Sequence, residues 1–133
     1  MKEAIEGSLN LDAHPSTSTS IYIKVLEGDG SIHSLAAGAI IAANAACREA
    51  RISMFDDVLA TCVRIDKSGG MSGYSGHLAS SAQASLCVAV QLASKRVSFI
   101  DMTGQVTNAD SVEEGITLAE HLVENMRARV DLR

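Results

Sequence analysis

The stretch SIHSLAAGAIIAANAACREA, residues 31–50, constrains the fold more than any other part of the chain. Its apolar residues recur every three or four positions, which predicts an amphipathic α-helix. Most of these positions are Ala, so the apolar face is narrow and smooth, suited to lying against a sheet. The whole chain has this character, because aromatic residues make up only 3% of it and hydrophobic residues 47%. We therefore expect one small domain with a core of Ala, Val, Ile, Leu and Met.

Alternating and continuous apolar runs predict strands on both sides of this helix. The expected order is a helix tail (3–11), a strand (21–27), the Ala-rich helix, three strands (58–65, 85–93 and 96–103) and a closing helix (about 111–130). The short link at Ser94-Lys95 indicates a hairpin between the last two strands. The passage from 21–27 through the helix to 58–65 predicts a right-handed β-α-β crossover. The expected class is α+β or α/β, with helices packed on a mixed sheet.

Charge and cysteine content exclude several function classes. The net charge is −5, so the chain lacks the basic surplus of a free-standing nucleic-acid binder. An RNA role would need a local basic patch or partner subunits. Three cysteines without a C-x-x-C pair are typical of buried, reduced thiols in an intracellular protein. No signal peptide is visible, and no apolar run reaches the roughly 18 residues of a membrane span.

A glycine turn, Gly28-Asp29-Gly30-Ser31, stands directly before the Ala-rich helix. Ser31 is a plausible N-cap, and the N–H groups and dipole of a helix start attract anions. The spacing matches neither the G-x-G-x-x-G fingerprint nor the P-loop. Two interpretations stay open, a phosphate site and a plain strand-to-helix turn. His33 in the first helical turn would accordingly touch an anion or be exposed.

Three other patterns are weaker candidates for chemistry. The run GGMSGYSG (69–76) does not satisfy the nucleophile-elbow motif G-x-S-x-G, and residues 66–84 are predicted to be a flexible loop. Asp56 and Asp57 could form a carboxylate pair, although adjacent acids before a strand point to opposite sides and are more typical of a solvated turn. The four histidines show no metal-ligand spacing.

Three stretches together resemble the second half of an RNase PH-like domain. They are EAIEGSLNLDAHPSTSTSIYIKVLEGDGS (3–31), REARISMFDDVLATCV (48–63) and the tail from 85 to 127. Within the tail, VSFIDMTGQV is especially similar to the ring subunits of the RNA exosome. The resemblance implies an RNase PH-like fold (ribosomal protein S5 domain 2-like), with residues 1–133 as its C-terminal half. A half-domain would expose sheet edges and apolar faces, so we expect it to need a partner, an N-terminal segment or a second copy.

The active members of the family are phosphorolytic exoribonucleases. The resemblance implies that they bind phosphate with a Thr-Arg-Thr-like element after the turn and a metal ion with acidic residues in the following loop. Here the first element reads Ile32-His33-Ser34, and GYSGHLASSAQAS (73–85) has no Asp or Glu. A mostly neutral His does not replace a bidentate guanidinium at pH 7. We therefore expect no catalytic residue, metal or cofactor, and a vestigial anion or RNA site at Ser31, His33 and Ser34.

The resemblance thus predicts a non-catalytic subunit of an exosome-type ring, of the mRNA-transport-regulator type. Its partners would be other RNase PH-like subunits and RNA threading the ring, with no membrane. Its expected location is the nucleus, the nucleolus and the cytoplasm. Two alternatives remain. One is an active phosphorolytic 3′-5′ exoribonuclease subunit that takes acidic residues from a partner, and the other is an unrelated small α/β anion-binding module.

Overall fold

A computed structural model describes residues 1–28, 30–73, 82–106 and 108–130. The elements are α1 (Lys2–Glu6), a 3-10 turn (Leu11–Ala13), α2 (Ile32–Glu49), β1 (Val58–Asp66), β2 (Met71–Gly73), β3 (Ala82–Gln91), β4 (Val97–Gly104) and α3 (Ala109–Val130). The strands form one sheet in the order β2-β1-β3-β4. Each described pair is antiparallel, so the predicted class is confirmed while the expected mixed sheet is not seen.

Small side chains join α1 and α2 to one face of the sheet. Ile40 and Ala43 of α2 pack on alternate residues of β1 and β3, and α1 closes the end of this layer. The buried cluster is Ala4, Ile5, Ala37, Ile40, Ala43, Val58, Ala60, Cys87 and Ala89. Six of its nine members are Ala or Cys, so α2 lies close to the sheet, as its composition predicts.

Larger aliphatic residues fill the opposite face, which α3 covers. Leu59, Val63, Leu86 and Val88 alternate with the residues of the first face and pack against Ala119 and Val123 of α3. β1 and β3 are therefore buried on both sides, which explains why β1 has a nearly continuous apolar sequence. The sheet is the middle layer of three.

The predicted strand at 21–27 is wrong, and so is the β-α-β crossover that depends on it. These residues form no strand, and Tyr22 and Leu26 are 93% and 85% exposed. β1 pairs with β2 and β3, which both run antiparallel to it. The alternation in the sequence is genuine, but a strand also requires a neighbour for its backbone hydrogen bonds. Among the described residues, no strand offers that neighbour to 21–27.

Two further boundaries differ from expectation. The predicted loop at 66–84 contains β2, because the Asp66 carboxylate accepts bonds from Ser68 and Gly70 and turns the chain back along β1. Residues 74–81 of that loop lie outside the described part. α3 begins two residues before the predicted Ser111, since Asn108 caps it by accepting from the Asp110 N–H at 3.1 Å.

The three cysteines are buried, as predicted. Cys62 and Cys87 are directly opposite each other on β1 and β3. Burial, and then the proximity of Cys62 and Asp101, raises the pKa of the Cys87 thiol to about 11. This thiol is therefore protonated and inert near neutral pH.

Candidate anion site at the start of α2

The turn before α2 has the geometry of an anion-binding helix start. Ser31 is the N-cap, and its side-chain oxygen accepts from the Ser34 N–H at 3.4 Å, which confirms the predicted cap. Gly30 has a φ of +83°, a left-handed conformation that favours glycine. The N–H groups in the first turn of a helix lack intrahelical acceptors and present partial positive charge.

A row of polar residues crosses the sheet beneath this helix start. Arg64 of β1 is opposite Ser85 of β3, and Ser85 is opposite Thr103 of β4. The row belongs to the α2 face, and it follows the buried cluster residues of β1 and β3, which are Val58, Ala60, Cys87 and Ala89. Arg64 is only 6% exposed, which is rare for arginine. A buried cation therefore lies next to the apolar cluster beneath α2.

His33 connects the helix start to the polar row. It is 1% exposed, and its Nδ1 lies 2.5 Å from the Ser85 hydroxyl oxygen. Its Nε2 is 3.4 Å from a carboxylate oxygen of Asp101, at ion-pair distance but outside hydrogen-bond geometry. The Ser85 hydroxyl is also 3.3 Å from that of Thr103. These contacts fit the tautomer of His33 that carries its proton on Nε2. In this tautomer the Nε2–H faces Asp101, and Nδ1 accepts a hydrogen bond from the Ser85 hydroxyl.

These groups surround a cavity of about 410 Å³, which we name the α2 cleft. Its lining is Gly30, Ser31, Ile32, His33, Arg64, Gln83, Ala84, Ser85, Thr103 and Gly104. The described lining thus offers a guanidinium, an imidazole, an amide and three hydroxyls, and no carboxylate. Such a set suits an anion rather than a metal cation. The described chain also holds no cluster of three His, Cys, Asp or Glu that could bind a metal.

The structure separates the three residues predicted for the vestigial site. Ser31 and His33 line the α2 cleft, and His33 is buried rather than exposed. Ser34 instead lines a neighbouring cavity of about 720 Å³ between α2 and residues 23–28. Its backbone N–H still contributes, through the cap on Ser31.

Sequence reasoning missed the sheet side of the cleft, Arg64, Ser85 and Thr103. One signal was present, because Arg64 is the one basic residue inside the apolar run VLATCVRI. Its relation to Ser85 and Thr103 depends on strand register, which no local pattern gave. The sequence therefore predicted an anion-binding turn without an arginine, whereas in the structure Arg64 of β1 places a guanidinium beside that turn.

The other candidate residues have structural contacts. Asp56 accepts from the Ala93 and Ser94 N–H groups, and Asp57 contacts Arg48 at 3.3 Å. The two carboxylates therefore contact different elements and do not form an acid/base pair.

In the described part of the chain, no helix is both long and apolar enough to span a membrane.

Comparison with known proteins assigns the fold class. The sequence matches no family model and no curated protein. Over its described residues the chain has a four-stranded antiparallel sheet and three helices, which is an RNase PH-like fold.

The solved structure that carries this assignment is rice (Oryza sativa) Rrp46, which is similar with a TM-score of 0.76 over 95% of this chain. The two sequences are 22% identical, and the chain spans 57% of the length of Rrp46. The comparison therefore shows the fold.

Proposed function

We propose that this chain is a structural, non-catalytic subunit of an exosome-type ring that guides RNA in 3′-5′ processing and decay. The observation that carries the proposal is the fold shared with rice Rrp46, an RNase PH-like exosome ring subunit. The sequence resemblance to ring subunits, strongest over 97–106, points to the same class. The proposal extends to the compartments of RNA 3′-end processing, the nucleus, the nucleolus and the cytoplasm.

The state of His33 supports a non-catalytic role. Phosphorolysis brings inorganic phosphate against an RNA phosphodiester, so the site needs fixed positive charge and positioned donors. His33 stands at the position where the resemblance puts the family's helix arginine. Its Nδ1 is hydrogen-bonded to the Ser85 hydroxyl, and its Nε2 lies beside the Asp101 carboxylate. It therefore cannot present a free bidentate fork to two phosphate groups.

The surface supports a role in assembly. Several large apolar side chains are more than half exposed, namely Leu11, Tyr22, Val25, Leu26, Ile32 and Phe55. Four of these six residues lie between 21 and 32, so they form a patch local in sequence rather than scattered singles. Apolar patches of this kind are typical of protein–protein interfaces. In the proposal, other RNase PH-like subunits cover the patch and contribute the basic surface that this acidic chain lacks.

Reconstitution tests the proposal. The chain is co-expressed with RNase PH-like ring subunits, and light scattering after gel filtration measures the mass of the complex. We expect a stable hetero-oligomer containing this chain, and loss of the chain from it after the paired change Tyr22→Ser and Leu26→Ser. Phe55→Ser, at an exposed apolar residue outside the patch, is the matched control. Failure to enter any such complex would contradict the proposal.

An activity assay on the same complex separates the structural role from the enzymatic alternative. With RNA, Mg²⁺ and inorganic phosphate, we expect the release of nucleoside diphosphates to be the same with wild-type chain and with His33→Ala. A chain that borrows acidic residues from a partner would instead show phosphate-dependent release that this variant abolishes. That result would replace the structural proposal by the catalytic one.

A further inference from the structure

We propose that Ser85, His33 and Asp101 form a serine–histidine–aspartate triad, and that Ser85 reacts with small carboxylic esters in the α2 cleft. The triad joins three elements, because Ser85 is on β3, His33 on α2 and Asp101 on β4. The inference goes beyond the proposed function, which concerns ring assembly and the absence of phosphorolysis. Ester cleavage needs neither inorganic phosphate nor a ring partner.

The hydrogen bond between Ser85 and His33 is the first argument. Ser85 Oγ lies 2.5 Å from His33 Nδ1, within the reach that a general base needs to take a proton from serine. The Ser85 hydroxyl is also 3.3 Å from that of Thr103. Because Ser85 donates its one proton to His33, the Thr103 hydroxyl donates to Ser85 Oγ and fixes its position. These bonds therefore hold the Ser85 oxygen beside a base.

The third member of the triad, Asp101, faces the other nitrogen of the imidazole ring. Its carboxylate oxygen Oδ2 is 3.4 Å from His33 Nε2, at ion-pair distance. His33 is 1% exposed, and its Nε2 has no hydrogen bond within the described part of the chain. When His33 takes up a proton, this contact becomes an ion pair between imidazolium and carboxylate. Asp101 therefore stabilises the state that proton transfer from Ser85 produces.

The α2 cleft provides space for the acyl group. Its volume of about 410 Å³ is typical of small-ligand sites, and Ser85, His33 and Thr103 all line it. Ile32 lines it too, so the first turn of α2 borders the nucleophile. The N–H groups of such a turn lack intrahelical acceptors and carry partial positive charge, which suits the oxyanion of a tetrahedral intermediate. The described lining contains no carboxylate that would repel this oxyanion.

The reaction proceeds in two steps, acylation and hydrolysis. Ser85 Oγ attacks the carbonyl carbon of the ester, its proton passes to His33 Nδ1, and the carbonyl electron pair moves onto the oxygen as an oxyanion. When this intermediate collapses, the bond to the alcohol breaks, and the alcohol leaves with the proton from His33. Water then attacks the acyl-Ser85 ester in the same way, with His33 taking its proton and returning it to Ser85 as the carboxylic acid is released.

Two measurements on the full chain test the triad. With p-nitrophenyl acetate, the release of p-nitrophenolate reports the acylation rate, and a fluorophosphonate probe labels an activated serine, which peptide mass spectrometry locates. We expect the label on Ser85, and we expect Ser85→Ala to lower the acylation rate by about a hundredfold or more. Asp101→Asn should lower it by about tenfold or more, and Asp101→Glu should restore part of it, because the carboxylate acts through His33. His121→Gln, at an exposed histidine of α3, should leave the rate unchanged and is the control for surface imidazoles.

The outcomes distinguish a triad from a structural hydrogen bond. Support requires both ester cleavage that depends on Ser85 and the label on Ser85. The label is placed on wild-type protein, so this arm does not depend on the folding of any variant, and circular dichroism checks the variants. Equal acylation rates in wild type and Ser85→Ala, or a label absent from Ser85, would overturn the inference. Ring assembly by Ser85→Ala, measured separately, tests the proposed function, which does not depend on this reaction.

Discussion

Asp56 illustrates how one carboxylate can hold two distant segments together. It accepts from the Ala93 N–H at 2.9 Å, the Ser94 N–H at 3.0 Å and the Ser94 hydroxyl at 3.0 Å. These bonds fix the turn between β3 and β4 to the chain just before β1. Burial acts to raise the pKa of Asp56, but the bonds from Ala93 and Ser94 outweigh it, so the pKa is below its ordinary value.

We expect Asp56→Asn to lower the free energy of unfolding by about 1–2 kcal/mol at pH 7, because an amide oxygen is a weaker acceptor than a carboxylate. A lowered pKa in the folded state stabilises the fold above the unfolded pKa of about 3.9, and this contribution disappears as pH falls through the folded value. The difference between wild type and variant should therefore shrink below about pH 4. Urea unfolding of both proteins at several pH values measures this difference in unfolding free energy.

Asp12→Asn is the control for this titration, because Asp12 is also an acid near a turn but is exposed. It should leave stability unchanged within about 0.5 kcal/mol at each pH. A constant difference between wild type and Asp56→Asn down to pH 2 would show that the charge of Asp56 contributes nothing.

At the level of single elements, local periodicity explains what the sequence could predict. The α2, β1, β3, β4 and α3 elements were predicted within a few residues because each shows its own pattern of apolar positions. The segment at 21–27 has the same kind of pattern and still forms no strand, because pairing depends on residues elsewhere. The cleft follows the same rule, since His33 was predictable from its helix and Arg64 required the register of the sheet.

Asn44 of α2 is hydrogen-bonded to the start of β1 through its side-chain amide. It is 5% exposed, its amide oxygen accepts from the Val58 N–H at 3.0 Å, and its amide nitrogen donates to Asp57 at 3.2 Å. Val58 is the first residue of β1. The side chain therefore satisfies a buried backbone group at the point where the strand begins.

Asn44→Ala should lower the free energy of unfolding by about 1–3 kcal/mol, because it leaves the Val58 N–H buried without this acceptor. Chemical denaturation measures the loss, and hydrogen exchange at Val58 should become faster. Asn10→Ala is the matched control, since Asn10 bonds Ser53 through its backbone N–H and keeps that bond. Equal stability of the two variants would contradict a role for Asn44 in holding α2 to β1.

At the scale of the whole molecule, the central strands β1 and β3 are covered on both faces and the segment before α2 is not. The layers on both faces contain contiguous buried clusters. In contrast, residues 21–26 expose Tyr22 and Leu26 almost completely, beside the cavity that lies between this segment and α2. The fold class follows from the covered faces, whereas the assembly that we propose uses the exposed segment.

We expect the isolated chain to self-associate through this segment, because exposed apolar surface is buried when two copies meet. Its weight-average mass in sedimentation velocity should rise with concentration. Tyr22→Ser with Leu26→Ser should reduce the rise and change the melting temperature of the monomer by less than about 3 °C, since both side chains are already exposed. Phe55→Ser, at a 70% exposed apolar residue outside the segment, should not reduce it. A weight-average mass equal to that of a single chain at every concentration would contradict the expectation. An equal effect of the paired Tyr22 and Leu26 change and of Phe55→Ser would contradict it too.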